Sequence, residues 1–470
     1  MEHNNFEDTI CAVATPHGMG AQSTIKVSGT KAIEIVNSLF RPTKKDTSLL
    51  TADPYSTQYG WLYDPKDGSR IDDCIILVMK APHSYTGEDQ VEITYHGNPL
   101  ISQLLLDLLI QAGARMAEPG EFTRRALSNG KLDLSQAEAV ADVIASTNRA
   151  ALRLSITQMR GLFRKKIEEL REPLIRLASL IELELDFSEE DVEFVPRDKL
   201  LAQCQEIRKG VSSLAESYAT SEVIKNGIPI AIVGATNAGK STLLNGLLNE
   251  ERAIVSNIHG TTRDTIEDTL YIKGQQFRLV DTAGLRETTD TIEQIGIKRT
   301  LEKVANTELV LWVIDPTETA VEWQSVLDRI APQTSKQQIV GIINKIDIAP
   351  KDRVEVLKGW LVEQEINTIL PICAMKSEGI EQVKELLHHH FSDLAVADDQ
   401  LMAINLRQST AIRKAAQHLL SVEEGIQAHL SGELIAQDLR AATTSLSTVI
   451  GEVTTDTLLS SIFANFCIGK

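Results

Sequence analysis

Ile228-Pro229-Ile230-Ala231-Ile232-Val233 runs directly into Gly234-Ala235-Thr236-Asn237-Ala238-Gly239-Lys240-Ser241, and then into Thr242-Leu243-Leu244-Asn245-Gly246-Leu247-Leu248. The first segment is apolar enough for a buried strand, and the last carries the spacing of a helix. Between them stands the pattern G-x-x-x-x-G-K-[ST] in the strand–loop–helix setting it requires. Glycines let backbone N–H groups close around phosphate oxygens, and the start of the following helix adds the positive end of its dipole. Lys240 is placed to reach the β- and γ-phosphates and the Ser241 hydroxyl to ligate Mg²⁺, with Asn237, Ala238, Gly239 and Thr242 completing the cradle.

Three further pieces lie outward from this loop. The strand Phe277–Val280 leads into Asp281-Thr282-Ala283-Gly284, where Asp281 can hold Mg²⁺ through water and Gly284 can offer its N–H to the γ-phosphate. The strand Ile339–Ile343 leads into Asn344-Lys345-Ile346-Asp347. A carboxylate at Asp347 accepts from guanine N1–H and N2–H₂, a donor pair adenine lacks. Thr261 and Thr262, in Gly260-Thr261-Thr262-Arg263-Asp264, lie where a mobile switch threonine completes the Mg²⁺ shell. Together the four define a guanine-nucleotide-binding domain over residues 223–391. Leu285 follows Gly284 and cannot orient water as the glutamine of signalling GTPases does; Glu293, further along that segment, is a candidate for the task.

The flanking chain has a different texture. Over 1–119, alternation at Ile10, Ala12 and Ala14, the apolar run Cys74–Val78 and alternation at Val91, Ile93 and Tyr95 predict strands, with helices over Lys31–Leu39 and Pro99–Ile110. This reads as a small α+β domain. From Gly120 to about Glu222 the pattern is helical. Ile156, Met159, Phe163, Ile167, Leu170, Leu174, Leu177 and Ile181 form one seam, with a kink or new first turn expected at Pro173. The acidic stretch Glu189–Glu193 reads as a loop. Helical spacing resumes over 392–470 at Ala411, Ala415, Leu419, Val422 and Ile426, then Leu439, Ala442, Leu446 and Val449. The chain therefore reads as multidomain α/β and α: a helical bundle built from 120–222 and 392–470, with a Ras-like P-loop α/β domain inserted where termini lie close together.

The chain has 470 residues, 47 Lys+Arg against 65 Asp+Glu and a net charge of −18, which suits two to four soluble domains and argues against a protein that coats nucleic acid. No apolar run is long enough to span a bilayer. The start, Met1–Asp8, lacks the features of a secretory or transit peptide. Cys11, Cys74, Cys204, Cys373 and Cys467 are scattered with no C-x-x-C pair, as expected of reduced thiols in the cytoplasm. His388-His389-His390 reads as a polar helix end.

The whole chain resembles the tRNA modification GTPases called MnmE or TrmE. The resemblance is carried by Asp8-Thr9-Ile10 with Ala14-Thr15-Pro16, by Tyr85-Thr86-Gly87-Glu88-Asp89, by Pro119-Gly120-Glu121-Phe122-Thr123, and by Lys131-Leu132-Asp133-Leu134-Ser135-Gln136-Ala137-Glu138-Ala139. Thr236–Ser241 and Gly260–Asp264 of the inserted domain continue it. Phe466-Cys467-Ile468-Gly469-Lys470 closes the chain, its last four residues being the most specific of all. The resemblance implies a homodimer through the N-terminal domain and G domains that pair in the GTP state. It implies K⁺ beside the phosphates, held by Asn237, Ser256, Ile258 and Thr261, where a fixed cation meets the charge that develops in phosphoryl transfer. Asn257 and His259 belong to the same nucleotide-binding segment, Ser241 and Thr262 are its Mg²⁺ ligands, and Glu293 matches the water-orienting glutamate.

It further implies an FAD-dependent partner protein in a heterotetramer-type complex. That complex would install an aminomethyl or carboxymethylaminomethyl group on C5 of the wobble uridine of certain tRNAs. The carbon would come from 5,10-methylene-tetrahydrofolate, a folate (or its 5-formyl analogue) bound by Lys26, Glu92, Lys131 and the C-terminal Lys470. Cys467 is then a catalytic candidate near the modification site. Lys26 and Met19 stand where the family usually has Arg, Thr236 where it has Pro, and Cys373-Ala374-Met375 where it has Ser-Ala-Lys/Arg.

Other readings compete. Cys467 stands where a prenylated cysteine would, but the final Lys, the Gly before it and the lack of a polybasic stretch argue against lipidation. A ribosome-assembly or cell-cycle GTPase switch would share the G domain without the N-terminal domain or the last four residues. One segment runs against the acidic whole. Between Arg149 and Arg176 stand Arg149, Arg153, Arg160, Arg164, Lys165, Lys166, Arg171 and Arg176 against Glu168, Glu169 and Glu172, with several arginines on one helical face. That stripe is a candidate tRNA contact on a chain that binds RNA weakly overall.

Overall fold

The structure is a computed structural model. It describes residues 7–44, 47–186, 196–249, 268–281, 304–305, 307–391, 402–452, 459, 462–464, 466 and 469. The chain divides into two compact units, one formed by Met1–Ala145, Ser155–Ala215 and Leu406–Lys470, the other by Ser146–Leu154 and Glu216–Asn405.

The first unit opens with β1 (Ile10–Val13), β2 (Ser23–Ser28), α1 (Ala32–Leu39), β3 (Phe40–Pro42), β4 (Ser56–Tyr63), β5 (Arg70–Met79), β6 (Gln90–Tyr95), α2 (Pro99–Gln111) and β7 (Arg115–Met116). They form one sheet in the order β3-β4-β5-β6-β2-β1-β7, antiparallel except for the β1–β7 edge pair. The alternation in β6 sends Val91, Ile93 and Tyr95 into the core beneath α1 and α2, with Ile25, Val27, Val36 and Leu109. Asn98 caps α2, its side chain accepting from the Leu100 amide at 2.9 Å, and Pro99 supplies the first-turn residue without an N–H. The opposite sheet face carries Ile10 and Ala12, covered by Phe122 and Tyr85.

Then follow α3 (Glu121–Ser128), α4 (Leu134–Ala145), α5 (Arg149–Met159), α6 (Leu162–Asp186) and α7 (Arg197–Asn226). The seam expected as one helix is broken, but at Gly161 (φ +81°) and not at Pro173, which lies inside an unbroken α6. A left-handed residue stops a helix, whereas a proline removes one hydrogen bond that packing can offset. The Glu189–Glu193 loop lies outside the described residues.

The second unit contains β8 (Ile228–Val233), α8 (Lys240–Asn249), β9 (Asp268–Ile272), β10 (Gln275–Asp281), β11 (Leu309–Ile314), α9 (Ala320–Ile330), β12 (Ile339–Ile343), α10 (Lys351–Glu363), β13 (Ile369–Pro371) and α11 (Ile380–His390). Its sheet runs β13-β12-β11-β8-β10-β9, parallel except for the β9 edge. β8, β11 and β12 are buried at every position, as central parallel strands covered on both faces must be. Leu243, Leu247, Val383 and Leu387 cover one face; Trp323, Leu327, Leu357 and Leu361 cover the other.

α12 (Leu406–Gln427) and α13 (Gly432–Ile450) return to the first unit, where they pack on each other and α13 lies along α6. Arg407 ties this segment to α4, pairing with Glu138 at 2.8 Å while bonding the carbonyls of Thr448 and Val449 at the end of α13.

Candidate functional site

The phosphate loop begins where buried β8 ends. β8 lies between β10 and β11 in parallel register, so the backbone of Asp281 sits opposite Ile232, at the same sheet end as the loop. Within the loop Asn237 takes φ +66° and Gly239 φ +100°. A Cβ on Gly239 would lie 2.1 Å from Nδ2 of Asn344, so no side chain fits there. The Lys240 ammonium donates to the carbonyls of Gly234 at 2.9 Å and Ala235 at 2.7 Å, which holds it at the phosphate loop. The half-buried Thr242 and exposed Ser241 occupy the first turn of α8.

The base-recognition loop is built on the same frame. Asn344 is buried; its Nδ2 donates to the Ala238 carbonyl at 2.8 Å and its Oδ1 accepts from the Ala374 amide at 3.0 Å. One side chain thus joins the phosphate loop, the Asn344–Asp347 motif and the Cys373–Met375 turn. Lys345, at φ +60°, pairs with Asp315 at 2.7 Å. Burial works to raise the Asp315 carboxyl, but hydrogen bonds from Lys345 and Thr317 outweigh it and hold the group below the usual carboxylate range. Asp347 lies 3.3 Å from Lys376. A hydrogen bond from the Cys373 thiol, with Lys376 adding to it against slight desolvation, keeps Asp347 below the usual range. It therefore stands ionised at neutral pH, as an acceptor for two N–H groups must.

Asp315 and Lys376 are members of this site that motif reading passes over. Asp315 ends the apolar strand β11 and accepts from both the amide and the hydroxyl of Thr317, at 2.9 and 2.7 Å. The Asp-x-Thr spacing after a buried strand is the signal that finds it. Of the expected nucleotide residues, Ser256, Asn257, Ile258, His259, Gly260, Thr261, Thr262, Thr282, Ala283, Gly284 and Glu293 lie outside the described residues.

A second constellation lies in the first unit. Lys26 and Glu92 are cross-strand partners on β2 and β6, with Ala12 beyond Lys26 on β1. The Lys26 ammonium stands 5.7 Å from the centre of the Tyr85 ring, and the Tyr85 hydroxyl hydrogen-bonds Thr123 at 2.9 Å. Lys131 packs its stem on Gly87 and donates to the Pro82 carbonyl at 3.1 Å. The Pro82–Gly87 loop thus touches both Lys26 and Lys131, and Glu92 lies opposite Lys26 on the neighbouring strand. Gly469 reaches the same sheet, buried against Val13 and Ala14 just past β1. Cys467 and Lys470 lie outside the described residues.

Behind the loop is a buried ion network. Arg125, fully buried, reaches Asp8 at 2.7 Å, Glu121 at 3.0 Å and Glu88 at 3.1 Å, while Arg115 binds Glu121 at 2.6 Å. Burial pushes the Glu88 carboxyl up despite Arg125; for Glu121 the hydrogen bonds from Arg115 and the Glu118 amide outweigh burial and hold it down.

Two family descriptions match the chain: "GTP-binding protein TrmE N-terminus" over residues 9–131 and "MnmE helical domain" over 134–467. The tRNA modification GTPase MnmE of Bacteroides thetaiotaomicron is 45% identical over 466 residues, spanning 99% of this chain and 100% of that one. The protein of the same name from Christiangramia forsetii is 46% identical over 477 residues, again spanning 99% and 100%. The chain belongs to the MnmE family of tRNA modification GTPases. An Era variant of Aquifex aeolicus solved with GDP and AlF₄⁻ is 25% identical, covering 41% of this chain and 66% of that one with a TM-score of 0.29. As expected for an MnmE-family chain, the architecture is an N-terminal α+β domain, a helical domain assembled from separate segments and an inserted Ras-like G domain, and the phosphate-loop site is that of a GTP hydrolase. No helix among the described residues is long and apolar enough to cross a membrane.

Proposed function

We propose that this chain is the K⁺-dependent GTPase component of a cytoplasmic wobble-uridine modification complex. It works as a homodimer with an FAD-dependent partner protein to place an aminomethyl or carboxymethylaminomethyl group on C5 of that uridine in certain tRNAs. Besides family membership over the full chain, the observation that carries this reading is the seat of Gly469. Gly469 is buried against the sheet that also bears Lys26 and Glu92, which supports a role for the chain's last residues beside them. A GTPase that only switched binding partners has no use for such a seat.

In the G domain, the loop amides and Lys240 bind the phosphates and Asp347 selects guanine. Hard oxygen donors suit both metal ions: the exposed Ser241 hydroxyl, with Thr262, for Mg²⁺; and the exposed Asn237 side-chain carbonyl, with Ser256, Ile258 and Thr261, for K⁺. These cations would supply fixed positive charge where the transferring phosphoryl group gains negative charge. Glu293 takes the water-orienting role that Leu285 cannot.

In the first unit the two ammonium groups of Lys26 and Lys131 suit the carboxylates of a folate tail, and Glu92 suits the amino face of its pterin; Lys470 would join them. The folate, as the methylene form, supplies the carbon. The domain boundaries proposed are 1–119, 120–222, 223–391 and 392–470.

Deleting Cys467–Lys470 should leave GTP hydrolysis intact and abolish the modification. Mass spectrometry of tRNA nucleosides from a deletion strain complemented with full-length or truncated chain reads this directly, and undiminished modification by the truncated chain would refute the reading.

A further inference from the structure

Four basic residues of the Arg149–Arg176 stretch are paired with carboxylates, and two others line a cavity. Arg164 pairs with Glu168 at 2.7 Å, Lys166 with Glu169 at 3.6 Å, Arg176 with Glu172 at 2.9 Å, and Arg171 with Glu452. These charges are spent on neighbours. Arg149 has no carboxylate partner among the described residues, and with Arg153, one turn along α5, it lines a cavity of about 540 Å³ in the second unit.

The cavity is built for an anion with an apolar body. Lys273, at the exposed β9–β10 turn, provides a third cation, and no Asp or Glu lines the space among the described residues. That is notable in a chain of net charge −18. Val223 and the buried Ile224 supply an apolar wall. The wall is held in place: Asn148 donates to the Ile224 carbonyl and to Oε1 of Gln276, both at 3.0 Å, while its Oδ1 caps α5 through the Ala151 amide at 2.8 Å. Oε1 of Gln276 also accepts from Thr147, so what Gln276 has left to offer is its Nε2 donors. The cations Arg149 and Lys273, the amide donors and an apolar wall, with no carboxylate in the lining among the described residues, match a phosphate with a sugar and base attached. The volume lies in the range of small-ligand sites.

The cavity is distinct from the GTP site. It opens at Ile228, the first residue of β8, whereas the phosphate loop follows Val233 at the other end, roughly 17 Å away along the strand. Arg149 and Lys273 are solvent-exposed, so a strand of nucleic acid can pass over the rim.

We propose that this cavity seats one nucleotide of a bound RNA, its phosphate between Arg149 and Lys273 and its sugar and base against Val223 and Ile224. The choice of RNA as the carrier rests on the reading that this chain acts on tRNA.

The test uses the full-length chain and fluorescently labelled tRNA, with binding followed by anisotropy from about 50 to 200 mM salt. R149E/K273E should bind about tenfold more weakly and lose about 2 from the slope of log affinity against log salt, with R149Q/K273Q in between. GTP turnover should be unchanged in both, which also reports that they are folded. Unchanged affinity and slope in the variants overturn the proposal and leave the cations to an acidic protein surface. Displacement of tRNA by micromolar uridine monophosphate would make a free nucleotide the occupant and overturn it too. If the wild-type chain fails to bind tRNA at all, the tRNA reading itself falls, a result separable from the others.

Discussion

Asn344 Nδ2 donates to the Ala238 carbonyl at 2.8 Å, so the residue that opens the guanine-recognition motif also clamps the phosphate loop from behind. Phosphate and base recognition therefore depend on one buried amide. Replacing Asn344 with Ala leaves the Ala238 carbonyl and the Ala374 amide without partners, at a cost of about 1–3 kcal/mol. Affinity for both GDP and GTP should fall by about tenfold or more. Titration with a fluorescent guanine nucleotide checks this; unaltered affinity would mean that the clamp is incidental.

Hydrogen bonding by the Cys373 thiol and Lys376 holds the Asp347 carboxyl below the usual range, so its preference for guanine should be lost only at a lower pH than that at which an ordinary carboxylate takes up a proton. Asp347→Asn replaces one acceptor with a donor. GTP binding should weaken about 100-fold or more, and xanthosine triphosphate, which offers a carbonyl where guanine has its amino group, should bind in its place. Competition between the two nucleotides on the variant decides the matter.

Glu318 follows Asp315 by three residues, and burial together with repulsion from Asp315 and Glu322 pushes its carboxyl from near 4.5 up to about 7. The folded chain thus holds this proton more tightly than the unfolded chain. Its contribution is complete below pH about 4.5 and is lost as pH rises toward 7, after which the loss is constant. Glu318→Gln should flatten that part of the stability profile and raise the Tm at pH 8 by about 3 °C. Thermal melts of both proteins from pH 5 to 8 measure it; parallel profiles would exclude Glu318 as the titrating group.

Arg125 is fully buried between Asp8, Glu88 and Glu121. Arg125→Met keeps the bulk but leaves buried carboxylates short of a partner, a loss of about 3–5 kcal/mol. Urea unfolding followed by far-ultraviolet circular dichroism should show the midpoint shift. A variant as stable as the wild type would place the network among those that apolar packing can replace.

What could be foreseen from sequence divides along physical lines. The phosphate loop and the Asn344–Asp347 motif are legible because phosphate and guanine demand particular atoms at fixed spacing. β8 and β12 are legible because their neighbours bury every position, which leaves uninterrupted apolar runs at Ile228–Val233 and Ile339–Ile343. Asn344 as a clamp is not legible, since its partners Ala238 and Ala374 are backbone groups brought close only by the sheet order. Nor is the Arg407–Glu138 pair, which joins segments on opposite sides of the inserted domain in sequence. Pro173 starts no new helix, because α6 absorbs the hydrogen bond a proline removes, whereas Gly161 breaks the helix through a φ no composition reveals. The basic stripe looked uniform in sequence; only the positions of Glu168, Glu169, Glu172 and Glu452 separate Arg164, Lys166, Arg171 and Arg176 from Arg149 at the cavity.

Gly469 supplies the sharpest test of the link between the C-terminal end and the N-terminal sheet. Its φ of +92° is unfavourable for any side chain, and a Cβ there would lie 2.5 Å from the Val13 carbonyl oxygen and 3.0 Å from the Ala14 Cα. Both contacts are backbone, so neither can swing aside, and Gly469→Ala must lift the chain end from its seat. A displacement of about 1 Å at a reacting group can cost about 100-fold in rate, and a loss of that order is expected in tRNA modification measured by nucleoside mass spectrometry. The phosphate loop lies in the other unit, so GTP hydrolysis by the same variant should stay close to the wild-type rate. Were both activities to fall together, the substitution would be acting through folding; were modification untouched, the seat of Gly469 would have no part in the chemistry.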